Sequence, residues 1–168
     1  MKLIVQIPCL NEARNIADVI HAVPRQIAGV TRVEVLVIDD GSTDGTADIA
    51  SEAGADHVIV NKKTLGLARA FQRGIDEALK QGADIVVNTD GDGQYAGECI
   101  ADLVQPIVER KADIVVGDRK PSENLDFSAT KRFLQRVGSF VVNRLASLEI
   151  SDAVSGFRAY SRDAAIRT

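Results

Sequence analysis

The stretch Glu34-Val35-Leu36-Val37-Ile38-Asp39-Asp40-Gly41-Ser42-Thr43-Asp44-Gly45-Thr46 decides the fold. Its first five residues predict a strand. Polar and apolar residues do not alternate here, as they would in a strand with one solvent-exposed face. We therefore expect both faces of this strand to be covered. The aspartates, glycines and small hydroxyl residues that follow are typical of a turn, and a helical pattern begins at Thr46. A buried strand that leads through a tight turn into a helix is the unit from which α/β proteins are built.

The same unit recurs along the chain. Short β-branched runs predict strands at Leu3–Ile7, Glu34–Ile38, His57–Val60, Ile85–Thr89, Ile114–Gly117 and Phe157–Tyr160. Apolar residues spaced by three and four predict helices at Asn15–Val23, Thr46–Ala53, Leu67–Gln81, Gly97–Arg110 and Ala129–Leu148. Strands that alternate with helices imply right-handed βαβ crossovers. The sequence therefore predicts a three-layer α/β/α sandwich around a mainly parallel sheet.

Length and composition limit the class of protein. The chain has 168 residues, 45% of them hydrophobic, and a formal net charge of -4, which suits one globular domain but not a nucleic-acid binder with a basic face. Two cysteines are too few for a disulfide framework. The run Leu3–Ile7 is too short for the core of a signal peptide, and no apolar run approaches the roughly 20 residues that cross a bilayer. We therefore expect a cytoplasmic domain.

Carboxylates follow four of the predicted strands. In parallel sheets of this kind the carboxyl ends of the strands meet at one edge, and ligands bind there. Like charges gathered at one edge repel each other, and a cation or a hydrogen-bonding ligand would relieve the repulsion. This edge is therefore the predicted functional site. The carboxylates concerned are Glu12, Asp39, Asp40, Asp90, Asp92 and Asp118.

The turn after the fourth predicted strand is the predicted metal site. In an extended turn, residues two apart can point the same way, so Asp90, Asp92 and Gln94 could offer oxygen ligands to one divalent cation. Such hard ligands suit Mg²⁺ or Mn²⁺. A solvated Asp-Gly turn is the alternative. A calcium-binding EF-hand loop is excluded, because Tyr95 and Ala101 would occupy the positions that need glycine and glutamate.

The turn after the second predicted strand is the predicted nucleoside site. One of Ser42, Thr43 or Asp44 can cap the helix that follows. Asp39 or Asp40 is then left to accept hydrogen bonds from a nucleobase or a ribose. The sequence has neither a G-x-G-x-x-G after the first strand nor a P-loop. A metal ion and arginines must therefore hold any phosphates.

Four segments occur in a recognisable order: Ile7–Glu12, Val37–Thr46, Asp90–Gln94 and Ser155–Arg158. Together they resemble family 2 glycosyltransferases of the GT-A fold, and most closely the dolichyl-phosphate mannosyltransferase-like branch, the polyprenyl-phosphate glycosyltransferases. The resemblance implies a nucleotide-diphospho-sugar transferase fold in a single catalytic domain over residues 1–168. Members of the branch usually continue with an amphipathic or transmembrane portion, so we expect this domain to be trimmed at its C-terminal end. Two further segments, Leu65–Ala70 and Val115–Arg119, also fit the branch.

The resemblance implies an inverting transfer of a sugar from a nucleotide-diphosphate donor, GDP-mannose or a UDP-sugar. The acceptor that we expect is a polyprenyl phosphate. The base and ribose of the donor would lie against Pro8, Asn11 and Glu12. Asp39 would hold the nucleoside, and Asp90 would contact the ribose or the metal ion.

The resemblance also assigns the charged groups around the phosphates. Asp92 and Gln94 would ligate Mg²⁺ or Mn²⁺ beside the diphosphate. Arg119 and Arg132 would face the donor and acceptor phosphates, a task that suits the bidentate guanidinium, although each could instead be a solvated charge. A lipid phosphate is already anionic and needs no general base, whereas a hydroxyl acceptor would need one. Asp152 is the candidate base, or it orders its own loop.

Other interpretations stay open from the sequence. The chain could be a non-catalytic module that binds a nucleotide sugar, or a transferase that acts on a hydroxyl group. An aspartyl phosphatase is disfavoured, because its D-x-D-G motif would follow the first strand and not the fourth. The cationic face of the predicted helix Ala129–Leu148 could lie near anionic lipid headgroups, which would bring this cytoplasmic domain to the membrane surface.

Overall fold

A sheet of six strands organises the computed structural model, which describes residues 1–117 and 155–168. The strands are β1 (Lys2–Cys9), β2 (Arg32–Asp39), β3 (His57–Val60), β4 (Ile85–Asn88), β5 (Ile114–Val116) and β6 (Arg158–Ser161). Their order across the sheet is β3-β2-β1-β4-β6-β5. The first four strands pair in parallel, and β6 runs antiparallel to both β4 and β5. The predicted, mainly parallel sheet is confirmed.

Helices cover both faces of the sheet. They are α1 (Ile16–Ala22), α2 (Thr46–Glu52), α3 (Leu67–Lys80), α4 (Ile100–Val108), which follows a 3-10 turn at Gly97–Cys99, and α5 (Arg162–Ile166). One apolar core joins the sheet to α1, α2 and α4, and a second joins the opposite face to α3 and α5. The predicted three-layer sandwich is therefore confirmed. In the part of the chain that the structure describes, none of these helices has the length and apolar character needed to span a bilayer.

The predicted elements recur with small shifts of their ends. The predicted helix Gly97–Arg110 begins as a 3-10 turn, and the predicted helix Ala129–Leu148 lies outside the described residues. Helix α5 was not predicted, because five residues are too few to show a helical period. Its start does carry a local signal, since the hydroxyl of Ser161 accepts a hydrogen bond from Ala164 N at 3.2 Å.

The sheet opens between β1 and β4. The chain proceeds from β1 to β2 and β3 on one side, while β4 pairs on the other side, so this is where the strand order reverses. Pairing of β1 with β4 ends at Gln6, whose carbonyl accepts from Thr89 N, whereas β1 continues along β2 to Cys9. Pro8 faces the side where β4 has already ended, so its missing N–H costs no ladder bond. The two strands therefore part at their carboxyl ends and leave a crevice.

A charged cluster ties three strands together at the opposite end of the sheet. Glu34 of β2 is 2% exposed, and its carboxylate lies 2.8 Å from Lys2 Nζ, 2.6 Å from Arg32 Nε and 2.9 Å from His57 Nε2. Burial alone would raise the pKa of Glu34, but the hydrogen bonds from Lys2 and His57 outweigh it and hold the pKa below its ordinary value. The cluster therefore stabilises the fold in its ionised form.

Glu34→Gln is expected to lower the free energy of unfolding by roughly 1–3 kcal/mol at neutral pH, because it removes the charge from these hydrogen bonds. The pKa of Glu34 is lowered in the folded state, so its stabilisation is present above the unfolded pKa of about 4.3 and is lost as pH falls through the folded pKa. Urea unfolding of both proteins between pH 7 and pH 3 measures the difference, which should shrink at the acidic end.

The matched control is Glu52→Gln, at an exposed glutamate that ends α2. It changes the net charge equally and should alter stability by no more than about 0.5 kcal/mol. Equal losses in the two variants would contradict the role of the cluster.

Candidate functional site

A cavity of about 290 Å³ lies in the crevice where β1 and β4 part. The end of β1 and its turn supply one wall, the segment after β4 supplies a second, and the start of α3 with the loop before it supplies a third. The position agrees with the edge that the sequence predicted for ligands. Lining residues include Pro8, Cys9, Glu12, Asp40, Gly66, Leu67, Asp90 and Asp92.

The turns after β1 and β2 are joined by hydrogen bonds. Asn11 adopts a left-handed φ of 57°, which asparagine tolerates better than most residues. Its N–H donates to Ser42 Oγ at 2.8 Å, and its Oδ1 accepts from Thr43 N at 3.0 Å. Glu12 N donates to Thr46 Oγ1 at 3.0 Å. Asn11 therefore joins the two turns, and Glu12 lines the cavity. The predicted contacts of both residues with a donor stay predictions.

Asp44 is the residue that stabilises the start of α2, out of the three that the sequence offered. Gly45 itself stands at the N-cap position with a φ of 89°. The Oδ1 of Asp44 accepts from Thr46 N at 3.1 Å and from Thr46 Oγ1 at 2.5 Å, and its Oδ2 accepts from Ala13 N at 3.1 Å. The hydrogen bond from the Thr46 side chain is the main cause that lowers the pKa of Asp44. This carboxylate is therefore used to order the edge.

Asp39 and Asp40 have different surroundings, although both are buried. The Oδ1 of Asp40 accepts from Asn61 Nδ2 at 2.7 Å and from Leu65 N at 2.9 Å, and its Oδ2 accepts from Gly66 N at 2.8 Å. Burial would raise the pKa of Asp40, but these hydrogen bonds hold it below its ordinary value. Asp40 therefore orders the loop that forms the third wall, a role the sequence did not predict.

Among the described residues, Asp39 accepts fewer hydrogen bonds than Asp40 does. The Oδ1 of Asp39 accepts from Ser42 N at 2.8 Å. The predicted contacts of Asp39 and Asp40 with a donor stay predictions.

The surroundings of the Cys9 thiol raise its pKa. Burial is the main cause that raises its pKa to about 12, and the charges of Asp39, Glu12, Asp44 and Asp40 raise it further. Such a pKa keeps Cys9 protonated and unreactive at neutral pH. Burial and the neighbouring carboxylates therefore act on the thiol in the same direction. The same negative charges would oppose an anion that enters without a cation.

The segment after β4 places two of the three predicted metal ligands at the cavity. Asp90 is half-buried, Asp92 is exposed, and both line the cavity, whereas Gln94 does not. Asp92 Oδ1 accepts from Gln94 N at 3.1 Å, which keeps the turn closed. Within residues 1–117 and 155–168, no three histidine, cysteine or acidic side chains converge to hold a metal ion. The hard oxygens of Asp90 and Asp92 nevertheless suit Mg²⁺ or Mn²⁺ with further positions left open.

The turn Ser155–Phe157 lies beside this acidic segment. A Cβ added to Gly156 would stand 3.2 Å from both carboxylate oxygens of Asp90. The Phe157 ring stacks on Tyr95, with ring centroids 4.9 Å apart and an interplanar angle of 18°. The remaining predicted site residues, Arg119, Arg132 and Asp152, lie outside the described residues.

Sequence analysis missed two buried amides below the cavity. Gln6 Nε2 donates to Asn88 Oδ1 at 2.9 Å, and Asn88 Nδ2 donates to the Gly156 carbonyl at 2.8 Å. The available signal was a polar residue inside each of two otherwise apolar strands. A buried polar residue usually has hydrogen-bond partners, although Gln6 Oε1 has none among the described residues.

Asp40→Asn is expected to loosen the loop before α3, because an amide cannot accept from all three donors. The free energy of unfolding should fall by roughly 2–4 kcal/mol. Lys62 and Lys63 are exposed in this loop, so limited trypsin digestion should cut there faster in the variant. Asp76→Asn, at an exposed position of α3, is the control and should digest like the unmodified protein. Unchanged cleavage at Lys62 and Lys63 in Asp40→Asn would contradict the ordering role.

Comparison with known proteins gives consistent results. "Glycosyltransferase AglJ" of Haloferax volcanii is 36% identical over 160 residues, which cover 93% of this chain and 49% of the relative. "Polyprenol monophosphomannose synthase" of Mycolicibacterium smegmatis is 32% identical, with 96% of this chain and 62% of the relative covered. The chain thus spans about half to two thirds of the length of these relatives.

A solved structure agrees with them. Glucosyl-3-phosphoglycerate synthase from Mycobacterium tuberculosis, in complex with Mn²⁺, uridine diphosphate and phosphoglyceric acid, superposes with a TM-score of 0.72 at 25% identity. The match covers 96% of this chain and 56% of that one. The family model described as glycosyl transferase family 2 matches residues 4–168, nearly the whole chain. This chain therefore belongs to glycosyl transferase family 2.

Proposed function

We propose that this chain is the donor-binding and catalytic domain of a metal-dependent, inverting glycosyltransferase. The donor is a nucleotide-diphosphate sugar, GDP-mannose or a UDP-sugar, and the acceptor is a polyprenyl phosphate. The observation that carries the proposal is that Asp90 and Asp92 share one cavity with Pro8 and Glu12 at the switch point of the sheet. The relative named as a polyprenol monophosphomannose synthase supports the acceptor class.

The nucleoside end of the donor would lie in this cavity. Pro8 and Glu12 offer an apolar surface and a carboxylate on the wall formed by β1. Asp39, at the end of β2, is buried and does not line the cavity, so it would accept from a base N–H or a ribose hydroxyl only if its side chain becomes accessible. The loop ordered by Asp40 closes the other side. A nucleoside would thus be held by groups that the chain already orders.

The diphosphate needs a cation at this edge. The carboxylates gathered at this edge would repel two adjacent phosphates. Asp90 and Asp92, with Gln94 near them, would hold Mg²⁺ or Mn²⁺. The bound ion would neutralise the charge that develops on the departing nucleoside diphosphate. Mn²⁺ and uridine diphosphate occur together in the structural neighbour described above, which supports this assignment.

The acceptor side follows from the chemistry of a lipid phosphate. A phosphate monoester is anionic at neutral pH, so it can attack the anomeric carbon without a general base. Attack opposite the leaving diphosphate inverts that centre. Arg119 and Arg132 would hold the two sets of phosphates, and Asp152 would be needed as a base only for a hydroxyl acceptor. A lipid acceptor would bring the domain to the cytoplasmic face of the membrane.

Isothermal titration calorimetry of GDP-mannose, UDP-glucose and UDP-N-acetylglucosamine tests the proposal, each with Mn²⁺ and with EDTA. One donor should bind in Mn²⁺ and not in EDTA. Asp92→Asn should weaken that binding about 100-fold by removing a charged ligand. Asp92 is exposed, so this change should leave the free energy of unfolding within about 0.5 kcal/mol.

Asp163→Asn, at an exposed position of α5 away from the cavity, is the matched control and should bind like the unmodified protein. Equal donor binding in Mn²⁺ and EDTA, or no effect of Asp92→Asn, would contradict the proposed metal site. Binding without any transfer to polyprenyl phosphate would favour a non-catalytic nucleotide-sugar module.

A further inference from the structure

Two buried amide side chains cross the sheet directly below the cavity. Gln6 is 0% exposed on β1, and Asn88 is 5% exposed at the end of β4. Gln6 Nε2 donates to Asn88 Oδ1, and Asn88 Nδ2 donates to the Gly156 carbonyl. Burying polar groups among apolar strands costs free energy unless they are hydrogen-bonded. The second hydrogen bond of Asn88 reaches the turn that carries Gly156.

The turn Ser155–Phe157 is pinned to the sheet by these bonds. Asn88 and Arg158 are register partners on β4 and β6. Asn88 holds the Gly156 carbonyl at 2.8 Å, and Arg158 Nε donates to the Ser155 carbonyl at 2.7 Å. Phe157 N donates to Ser155 Oγ at 3.2 Å, so the turn is also closed internally. Two adjacent carbonyls are therefore fixed by side chains from two strands.

The pinned turn contacts the acidic segment at both of its ends. Gly156 lies so close to Asp90 that a methyl group there would stand 3.2 Å from both carboxylate oxygens. At the other end, the Phe157 ring stacks on Tyr95. Asp92, the second predicted ligand, lies between these two contacts in sequence. The turn therefore contacts and supports the segment from Asp90 to Tyr95 at its first and its last residue.

We propose that Asn88 is a positioning residue for the carboxylates that hold the metal ion, acting through Gly156 on Asp90. This inference rests on the proposed function, because it gives that function its site geometry. Asn88 does not line the cavity, and its side-chain hydrogen bond to the Gly156 carbonyl links it to the turn that lies against Asp90. Groups that orient metal ligands typically change metal affinity by about 10- to 100-fold.

Two near-isosteric variants separate positioning from general stability. Asn88→Leu removes both hydrogen bonds of this side chain, including the bond to Gly156. Gln6→Leu removes the bond between the two amides and leaves Asn88 free to hold Gly156. Both variants lose the hydrogen bond between the two amides, so both are expected to be less stable than the unmodified protein. Only Asn88→Leu should disturb the turn.

The first readout needs no ligand. The chain has two tyrosines, so fluorotyrosine labelling gives two fluorine NMR signals, and Tyr95→Phe assigns them. Asn88→Leu should shift or broaden the Tyr95 signal, because the stacked Phe157 ring moves. Gln6→Leu should leave it in place. Tyr160, buried in the core on β6, is the internal reference.

The second readout is Mn²⁺ affinity, measured by manganese EPR with GDP or UDP present. Asn88→Leu should raise the dissociation constant about 10- to 100-fold, and Gln6→Leu less than about threefold. Gly156→Ala keeps Asn88 and puts a methyl group 3.2 Å from both carboxylate oxygens of Asp90, which must shift by a few tenths of an ångström. The dissociation constant for Mn²⁺ should therefore rise in this variant even if Asn88→Leu folds poorly.

Each outcome decides the proposal. Equal behaviour of Asn88→Leu and Gln6→Leu in both readouts, or normal Mn²⁺ affinity in Gly156→Ala, would overturn the positioning role. Failure of the unmodified protein to bind Mn²⁺ with either nucleotide would overturn the proposed function itself. The fluorine spectra would still show whether Asn88 holds the turn against Tyr95, so the two failures are distinguishable.

Discussion

The negative charge gathered at the carboxyl edge of the sheet is the constraint on which the rest of the structure depends. Parallel strands deliver their C-terminal turns to one edge, and here those turns carry aspartates and a glutamate. Burial is the main cause of the raised pKa of Cys9, and four of these carboxylates raise it further. A fold with this arrangement must either neutralise each carboxylate internally or leave it for a ligand.

Some of these carboxylates order the edge of the sheet, and others are proposed to bind the metal ion. Asp40 and Asp44 have their oxygens occupied by N–H and hydroxyl groups of neighbouring turns, so they fix the walls of the cavity. Asp90 and Asp92 line the cavity from the segment after β4, together with Asp40. Below them, the amide of Asn88 fixes the turn that lies against Asp90. Rigid surroundings thus support the carboxylates proposed to bind the metal ion, and such preorganisation is what a metal site needs.

Much of this could be predicted from the sequence, because hydrophobic period and strand-end position are local signals. These two signals predicted the strands, four of the helices, the three layers and the edge of the sheet at which the cavity lies. The different hydrogen-bond partners of Asp39 and Asp40 could not be predicted. Adjacent residues at the end of a strand face opposite sides, and the sequence does not show which loop lies on each side. The pairing of Gln6 with Asn88 depends on strand register, which is a tertiary property. The roles of Arg119, Arg132 and Asp152 stay predictions, since they lie outside the described residues.

A crystal structure with Mn²⁺ and the nucleoside diphosphate of the preferred donor would test the central claim most directly, using anomalous scattering to locate the metal. The account predicts a manganese peak within about 2.0–2.4 Å of carboxylate oxygens of Asp90 or Asp92. It also predicts that the nucleoside lies against Pro8 and Glu12 in the crevice between β1 and β4. A nucleotide bound at another edge of the sheet, or a metal ion held without either aspartate, would contradict it.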